Sequence, residues 1–389
     1  MDVGLCYESV LPARGGCEHY ISDLARRLDR DGHKVHLFAC HWDASALPPA
    51  TIYHPLPTPR GPRFLRPWRF AVACDKAVAA VKLDVSMGFD KTWGQDILYP
   101  QGGLHSASRV QNLLKHPSGF VRSAAKFARV FDPTTYSFAR LERRQYLSET
   151  RPIILVNSRM VQRHFREYLG VADREVRVFY SAIDPQRFAA DDRPARRATE
   201  RAAWGVRPDT IVGLFVAMNY RLKGLAPLLR SLVHVPKNAA FKLIVVGGAK
   251  FARYESLAQS LGVRDRVVFL GFQDDPRDAY FGADFLVHPT FYDPCSLVAL
   301  EALACGLPVI TSRYNGASEL LSPPDDGLVV ADPHDARELG AALNDMLETE
   351  KLPARKAAAV AASQGWTFDM HYRDLLAVFV EVAGRKRAA

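Results

Sequence analysis

Short apolar runs alternate with amphipathic stretches along almost the whole of this chain, and that alternation admits few folds. "MDVGLCY" reads as a strand. "EHYISDLARRLDRDGH" then carries Tyr20, Ile21, Leu24 and Leu28 at helical spacing and stops at Gly32, and "KVHLFAC" returns as a second strand. "VSMGF" and "PIILVNS" read as later strands of the same sheet. Around "YSAIDPQRF" (180–188) the chain changes character, and the charged stretch "AADDRPARRATERAAWGVRPD" reads as an interdomain connection with a short helix. A second series follows in "TIVGLFVA", "FKLIVVGG", "RVVFLGF", "ADFLVHP", "LPVITS" and "DGLVVA". Strands alternating with helices build parallel sheets, so the fold class is α/β, with two successive parallel-sheet domains meeting at a cleft. No internal repeat or low-complexity segment interrupts the pattern.

Length and composition agree. At 389 residues the chain exceeds one ordinary core and suits two domains of roughly 150–200 residues. Hydrophobic residues make up 48% and charged residues 24%, a globular balance that excludes a disordered chain. The formal charge of +9 implies an anionic partner: a sugar nucleotide, a phospholipid surface or nucleic acid. Cys6, Cys17, Cys40, Cys74, Cys295 and Cys305 are scattered without a CxxC pair, so neither a zinc site nor a disulfide frame is expected. "MDVGLCYESVLP" lacks a basic region followed by a long apolar stretch, so no signal peptide is expected. No run of about 18 apolar residues occurs, and a cytoplasmic location is expected.

The densest chemistry lies in "PTFYDPCSLVALEALACGLPVI" (289–310). A strand leads through a loop into a helix that starts near Ser296. Backbone N–H groups of Ser296, Leu297 and Val298 would point out of that helix, a ready site for a phosphate or sugar oxygen. Asp293 precedes the helix and Glu301 lies within it, so two carboxylates that can accept hydroxyl hydrogen bonds flank the anion site. Taken alone, the same acids also suit a capped surface helix facing water. In "VAMNYRLKGL" (216–225), Arg221 and Lys223 follow a strand, at the edge where open α/β sheets bind ligands. Two cations there suit a diphosphate and the charge that develops on a departing nucleotide, although in isolation they are often merely solvated.

The segment 289–310 closely resembles the signature of retaining glycosyltransferases of family 4, which have the GT-B fold of two Rossmann-like domains facing a central cleft: "EALACGLPVI" is present in full. The resemblance implies that Glu301 holds ribose hydroxyls and that Asp293, where most members have Glu, holds donor-sugar hydroxyls. It implies diphosphate-binding roles for Arg221 and Lys223, whose "RLKG" matches the family's R(x)KG element, and base-lining roles for Gly247 in "LIVVGG" and Phe272 in "VFLGFQDD". The family route is a front-face one in which the leaving phosphate helps deprotonate the acceptor, so no catalytic base is assigned. Arg and Lys replace a divalent metal in this fold class, and neither a metal nor another cofactor is expected beyond the UDP-sugar donor. The implied reaction moves a hexose, glucose from UDP-glucose, to a lipopolysaccharide-core-like or other envelope glycan. A nucleotide-sugar 2-epimerase on the same fold is the nearest alternative. A non-catalytic membrane- or nucleic-acid-binding protein is the alternative from another class.

By the same resemblance, residues 1–180 form the acceptor-binding domain, completed by a C-terminal helix over 368–389, and 181–367 form the nucleotide-sugar domain. "GFDKTWGQD" (88–96) and "YPQGGLHSAS" (99–108) look similar to lipopolysaccharide core glucosyltransferases. That likeness places Asp96 near the reacting centre or acceptor and His105 in the donor–acceptor pocket; on their own, each suits a surface residue or helix cap. Gly15 and Gly16 in "ARGGCEHY" (13–20) are adjacent rather than spaced as GxGxxG, which disfavours a dinucleotide cofactor. They resemble the family's GG(x)E loop, which lets donor diphosphate or acceptor approach bare backbone.

Residues 109–144 hold eight cations against two acids, Asp132 and Glu142, with Phe120, Val121, Phe127, Val130, Phe131 and Phe138 interleaved. Such a segment suits peripheral contact with an anionic membrane at its inner face, and equally a solvated helical face. No nucleic-acid motif accompanies the charge, so no nucleic-acid partner is expected.

Overall fold

The apolar runs become parallel strands in two sheets. The structure, a computed structural model, describes residues 1–12, 15–148, 151–190, 192–248 and 250–388. Ala13 and Arg14 of the glycine loop, Asp191 of the charged connection and Ala389 of the expected C-terminal helix lie outside the described residues. The chain divides into two compact units: 1–113 with 118–180 and 369–389, and 114–117 with 181–368.

The first unit is built on β1 (Asp2–Cys6), β2 (Lys34–Ala39), β3 (Ile52–Pro55), β4 (Val85–Gly88), β5 (Ile97–Leu98), β6 (Ile153–Val156) and β7 (Val176–Val178). They run parallel in the order β3-β2-β1-β4-β5-β6-β7, with Asp2 opposite Lys34 and Val3 opposite Val85. Helix α1 (Gly16–Arg30) follows β1 and buries Tyr20, Ile21, Leu24, Ala25 and Leu28. It ends at Gly32, whose φ of +77° is the left-handed conformation that a helix stop favours. The C-terminal helix, Phe368–Ala388, is tied to this sheet by the Arg177–Glu381 fork at 2.7 and 2.8 Å. His371 Nε2 also lies 2.7 Å from the Tyr20 hydroxyl.

The second unit holds β8 (Ile211–Ala217), β9 (Phe241–Gly247), β10 (Val267–Gly271), β11 (Phe285–His288), β12 (Val309–Ser312) and β13 (Gly327–Val330). Their order is β10-β9-β8-β11-β12-β13, again all parallel. Both sheet faces are covered, so these strands are continuously apolar: Phe215, Leu243, Phe285 and Val287 are fully buried. The charged stretch after the first unit contains helix Arg193–Ala203, which Asp284 fixes to this sheet. The Asp284 carboxylate takes Arg197 at 2.8 Å, Lys356 at 2.7 Å and the Val212 N–H at 2.9 Å.

In each sheet the first strand in sequence lies between the second and the fourth. The order therefore reverses at β1/β4 and at β8/β11. Connections leave in opposite directions there and open a crevice at the strands' C-terminal ends, the usual ligand position in such sheets.

Candidate active site

At the β8/β11 crevice two loops are laced together. The Phe291 N–H donates to Leu222 O at 2.9 Å, and the Thr290 hydroxyl donates to the same oxygen at 3.3 Å. Gly224 completes the contact: its φ is +85°, and a Cβ there would lie 2.1 Å from Pro289 O. Only glycine lets the first loop come this close.

The consequence is that Lys223 Nζ reaches Asp293 Oδ2 at 2.5 Å and Tyr292 O at 3.3 Å. His288 Nε2 stands 3.5 Å from the same carboxylate oxygen. Burial alone would raise the Asp293 carboxyl, but Lys223 and His288 hold it well below the usual range. Burial pushes His288 down, against the opposing effect of Asp293.

Helix α2 (Leu297–Ala304) begins four residues after Asp293. Leu297 and Val298 occupy its first two positions, where amides have no intrahelical acceptor. Ser296 corrects the sequence expectation: its N–H is taken by Asn315 Oδ1 at 3.1 Å, which leaves the cap's amide unavailable to a ligand. Glu301 projects from the middle of α2 and accepts the Tyr280 hydroxyl at 2.7 Å. Burial pushes its carboxyl up against the opposing effects of Tyr280 and Arg187.

Arg221 donates to His116 Nδ1 at 2.9 Å and forms no carboxylate ion pair among the described residues. It lines a cavity of about 620 Å³ with Met218, Tyr220, Gly248, Lys250 and Arg253. No acid among the described residues lines that cavity, so it suits an anion. Lys250 and Arg253 went unnoticed in the sequence, although "GGAKFAR" directly after a buried strand is the signal that could have found them. Gly247 does not line it. Its φ is +120° and a Cβ would lie 1.9 Å from Ala217 O, so strand packing alone demands glycine there. Phe272 follows β10 and is half exposed at the same sheet edge.

In the first unit, Asp96 is not where a reacting group belongs. It precedes β5, at the N-terminal edge of the sheet, away from the crevice. Its Oδ2 accepts from the Ser86 N–H at 2.7 Å, the Ser86 hydroxyl at 2.6 Å and Lys386 Nζ at 2.7 Å. Asp96 anchors β4 and the C-terminal helix, which corrects its assignment as a catalytic residue.

His105 opens helix His105–Leu114, beyond the C-terminal end of β5. Its ring stacks on Phe138 with centroids 4.1 Å apart, and its backbone N–H donates to Glu142. Burial, reinforced by Arg109 and Lys91, pushes its pKa down to about 4. Gly15 caps α1 and Gly16 starts it, beyond the C-terminal end of β1. A Cβ on Gly15 would stand 3.1 Å from a Glu18 oxygen, so the approach there is tight but not closed.

Residues 196–362 match the family model "Glycosyl transferases group 1", and residues 14–90 match "Glycosyltransferase Family 4". The chain is 32% identical over 191 residues to an uncharacterised glycosyltransferase of Methanocaldococcus jannaschii, an alignment spanning 48% of this chain and 49% of that relative. It is 23% identical over 357 residues to the lipopolysaccharide glucosyltransferase WaaG of Escherichia coli, spanning 90% of this chain and 91% of that one. A crystal structure of WaaG matches with a TM-score of 0.74 at 22% identity, covering 93% of this chain and 94% of that one. The Anabaena protein HepE, in complex with UDP-glucose, matches at 0.69 with 20% identity, covering 98% and 100%. Two reversing parallel sheets and both domain matches lead to one conclusion: the chain carries glycosyltransferase group 1 and family 4 domains on the GT-B fold, the domains of a hexosyltransferase.

Proposed function

We propose that this enzyme transfers glucose from UDP-glucose, with retention of configuration, to a lipopolysaccharide-core-like or other envelope glycan. The observation that carries the reading is the Lys223–Asp293 contact of 2.5 Å at the β8/β11 crevice, beside the start of α2. Lys223 is shared between a carboxylate suited to sugar hydroxyls and a diphosphate that it and Arg221 would neutralise. The free amides of Leu297 and Val298 add donors to that diphosphate. Glu301, one turn deeper in α2, is suited to ribose hydroxyls. Because the cations meet the charge that develops on the departing nucleotide, the proposed reaction needs no metal. Family 4 membership supports retention, and the UDP-glucose complex of HepE supports the donor.

The acceptor side brings a membrane into the proposal. Helix Gly119–Ala128 buries none of its residues, and Phe120 and Phe127 are 83% and 67% exposed. Phe131, one turn on, is 72% exposed, with Lys126 and Arg129 among these rings. An aromatic, cationic face of this kind suits an anionic bilayer, where the acceptor glycolipid resides. No helix among the described residues is long and apolar enough to cross a membrane.

The test is transfer of glucose from UDP-glucose to heptose-terminated core oligosaccharide, with the product anomer read by NMR. The proposal expects an α-glucoside; a β-linked product, or transfer from GDP-mannose alone, would overturn it.

A further inference from the structure

Beyond the C-terminal ends of β4 and β5 lies a cavity of about 130 Å³, lined by Asp90, Lys91, Gly102, His105 and Glu142. Asp90 is the one non-glycine residue with positive φ, +56°, among the described residues. That conformation is costly for a residue with a Cβ, and it persists only where the surroundings impose it. Gln145 imposes it, since its amide donates to the carbonyls of both Asp90 and Thr92.

The strained backbone sets a half-buried carboxylate at the cavity, with one hydrogen bond among the described residues, from the Gly102 N–H at 3.2 Å. Burial pushes this carboxyl up, opposed by Gly102 and Lys91. His105 lines the same cavity, and its Nε2 is buried without a hydrogen-bond partner among the described residues. A carboxylate with spare lone pairs and an unsatisfied imidazole nitrogen, both at the strand ends where these sheets take ligands, call for a ligand rich in hydroxyls.

We propose that this cavity is a subsite for the sugar acceptor, in which Asp90 accepts a hydrogen bond from an acceptor hydroxyl and His105 Nε2 contacts a second. The inference rests on the glycosyl-transfer reading above and adds to it the acceptor's contact in the first unit. It also moves the functional acid of "GFDKTWGQD" from Asp96 to Asp90.

Asp90→Asn and Asp90→Gly test it. Asn and Gly both tolerate positive φ, so neither variant should unfold, and Gly should equal or exceed the wild type in Tm. Both should bind UDP as the wild type does. Transfer efficiency to heptose-terminated core oligosaccharide should fall roughly 10- to 100-fold, the scale of a lost hydrogen bond to a charged group, mainly through acceptor KM. Wild-type transfer in either variant, or activity lost only in proportion to a fall in Tm, would overturn the subsite. A wild-type protein that consumes no nucleotide sugar would instead overturn the transferase reading beneath it.

Discussion

Lys223 and Asp293, 70 positions apart in sequence, meet at 2.5 Å because two neighbouring parallel strands end side by side. Each residue alone is a common surface charge. Together, at a strand-order reversal, they form a partly buried pair that a diphosphate sugar can divide.

Lys223→Ala should abolish transfer and leave Asp293 with less compensation in a largely buried position. Breaking such a pair costs up to about 3–5 kcal/mol in a deep interior, and less here because both side chains keep some exposure. The depressed Asp293 carboxyl contributes stability that is present above its ordinary value of 3.8 and is lost as pH falls through the folded value. The stability gap between wild type and variant, read by urea unfolding, should therefore be widest at neutral pH and should narrow below pH 4. A gap that widens on acidification would contradict the pairing.

Gly224→Ala should impair transfer although residue 224 need not touch substrate. The new Cβ would meet Pro289 O at 2.1 Å and push apart the loops that join Lys223 to Asp293. A cost of about 1–3 kcal/mol is expected from the left-handed backbone alone. A fall in kcat/KM with a lowered Tm is the predicted pair of readouts.

Much of this was legible in the sequence. Strands of the second unit are mostly buried and apolar, so each apolar run there marked a real strand. β3, β5 and β7 were missed: Ile52–Pro55 is a half-exposed edge carrying His and Pro, Ile97–Leu98 is two residues long, and Val176–Val178 carries an Arg. Asp90 and Asp96 could not be told apart by pattern, because which sheet edge each occupies depends on a two-residue strand between them and Tyr99. The loss of the Ser296 amide was equally hidden, since its acceptor, Asn315, lies 19 positions away.

His371 offers a pH test of the first unit. Its Nδ1 lies 3.0 Å from the Tyr180 carbonyl, which can only accept, so Nδ1 carries the proton and Nε2 accepts from the Tyr20 hydroxyl. Burial pushes its pKa from 6.5 down to about 4. Because the folded value lies below the unfolded one, stability should rise with pH between about 4 and 6.5 and level off above, by roughly 3 kcal/mol at most. His371→Gln should flatten much of that slope; an unchanged slope would contradict the buried neutral imidazole.

Replacing Phe120, Phe127 and Phe131 together with Ser should leave Tm nearly unchanged, since all three rings are largely exposed. Co-sedimentation with vesicles containing anionic phospholipid should fall steeply, each lost ring removing about 1.5–3 kcal/mol of possible burial. Equal binding by the triple variant would remove this face from the membrane proposal.

A nucleotide diphosphate sugar is proposed to bind at the β8/β11 crevice. The most direct measurement is a thermal-shift panel of UDP-glucose, GDP-mannose and ADP-glucose on the wild type and on Glu301→Ala. UDP-glucose should raise the wild-type Tm most, and Glu301→Ala, folded but unable to hold the ribose, should lose that rise. A response to GDP-mannose alone, or an undiminished response in Glu301→Ala, would contradict it.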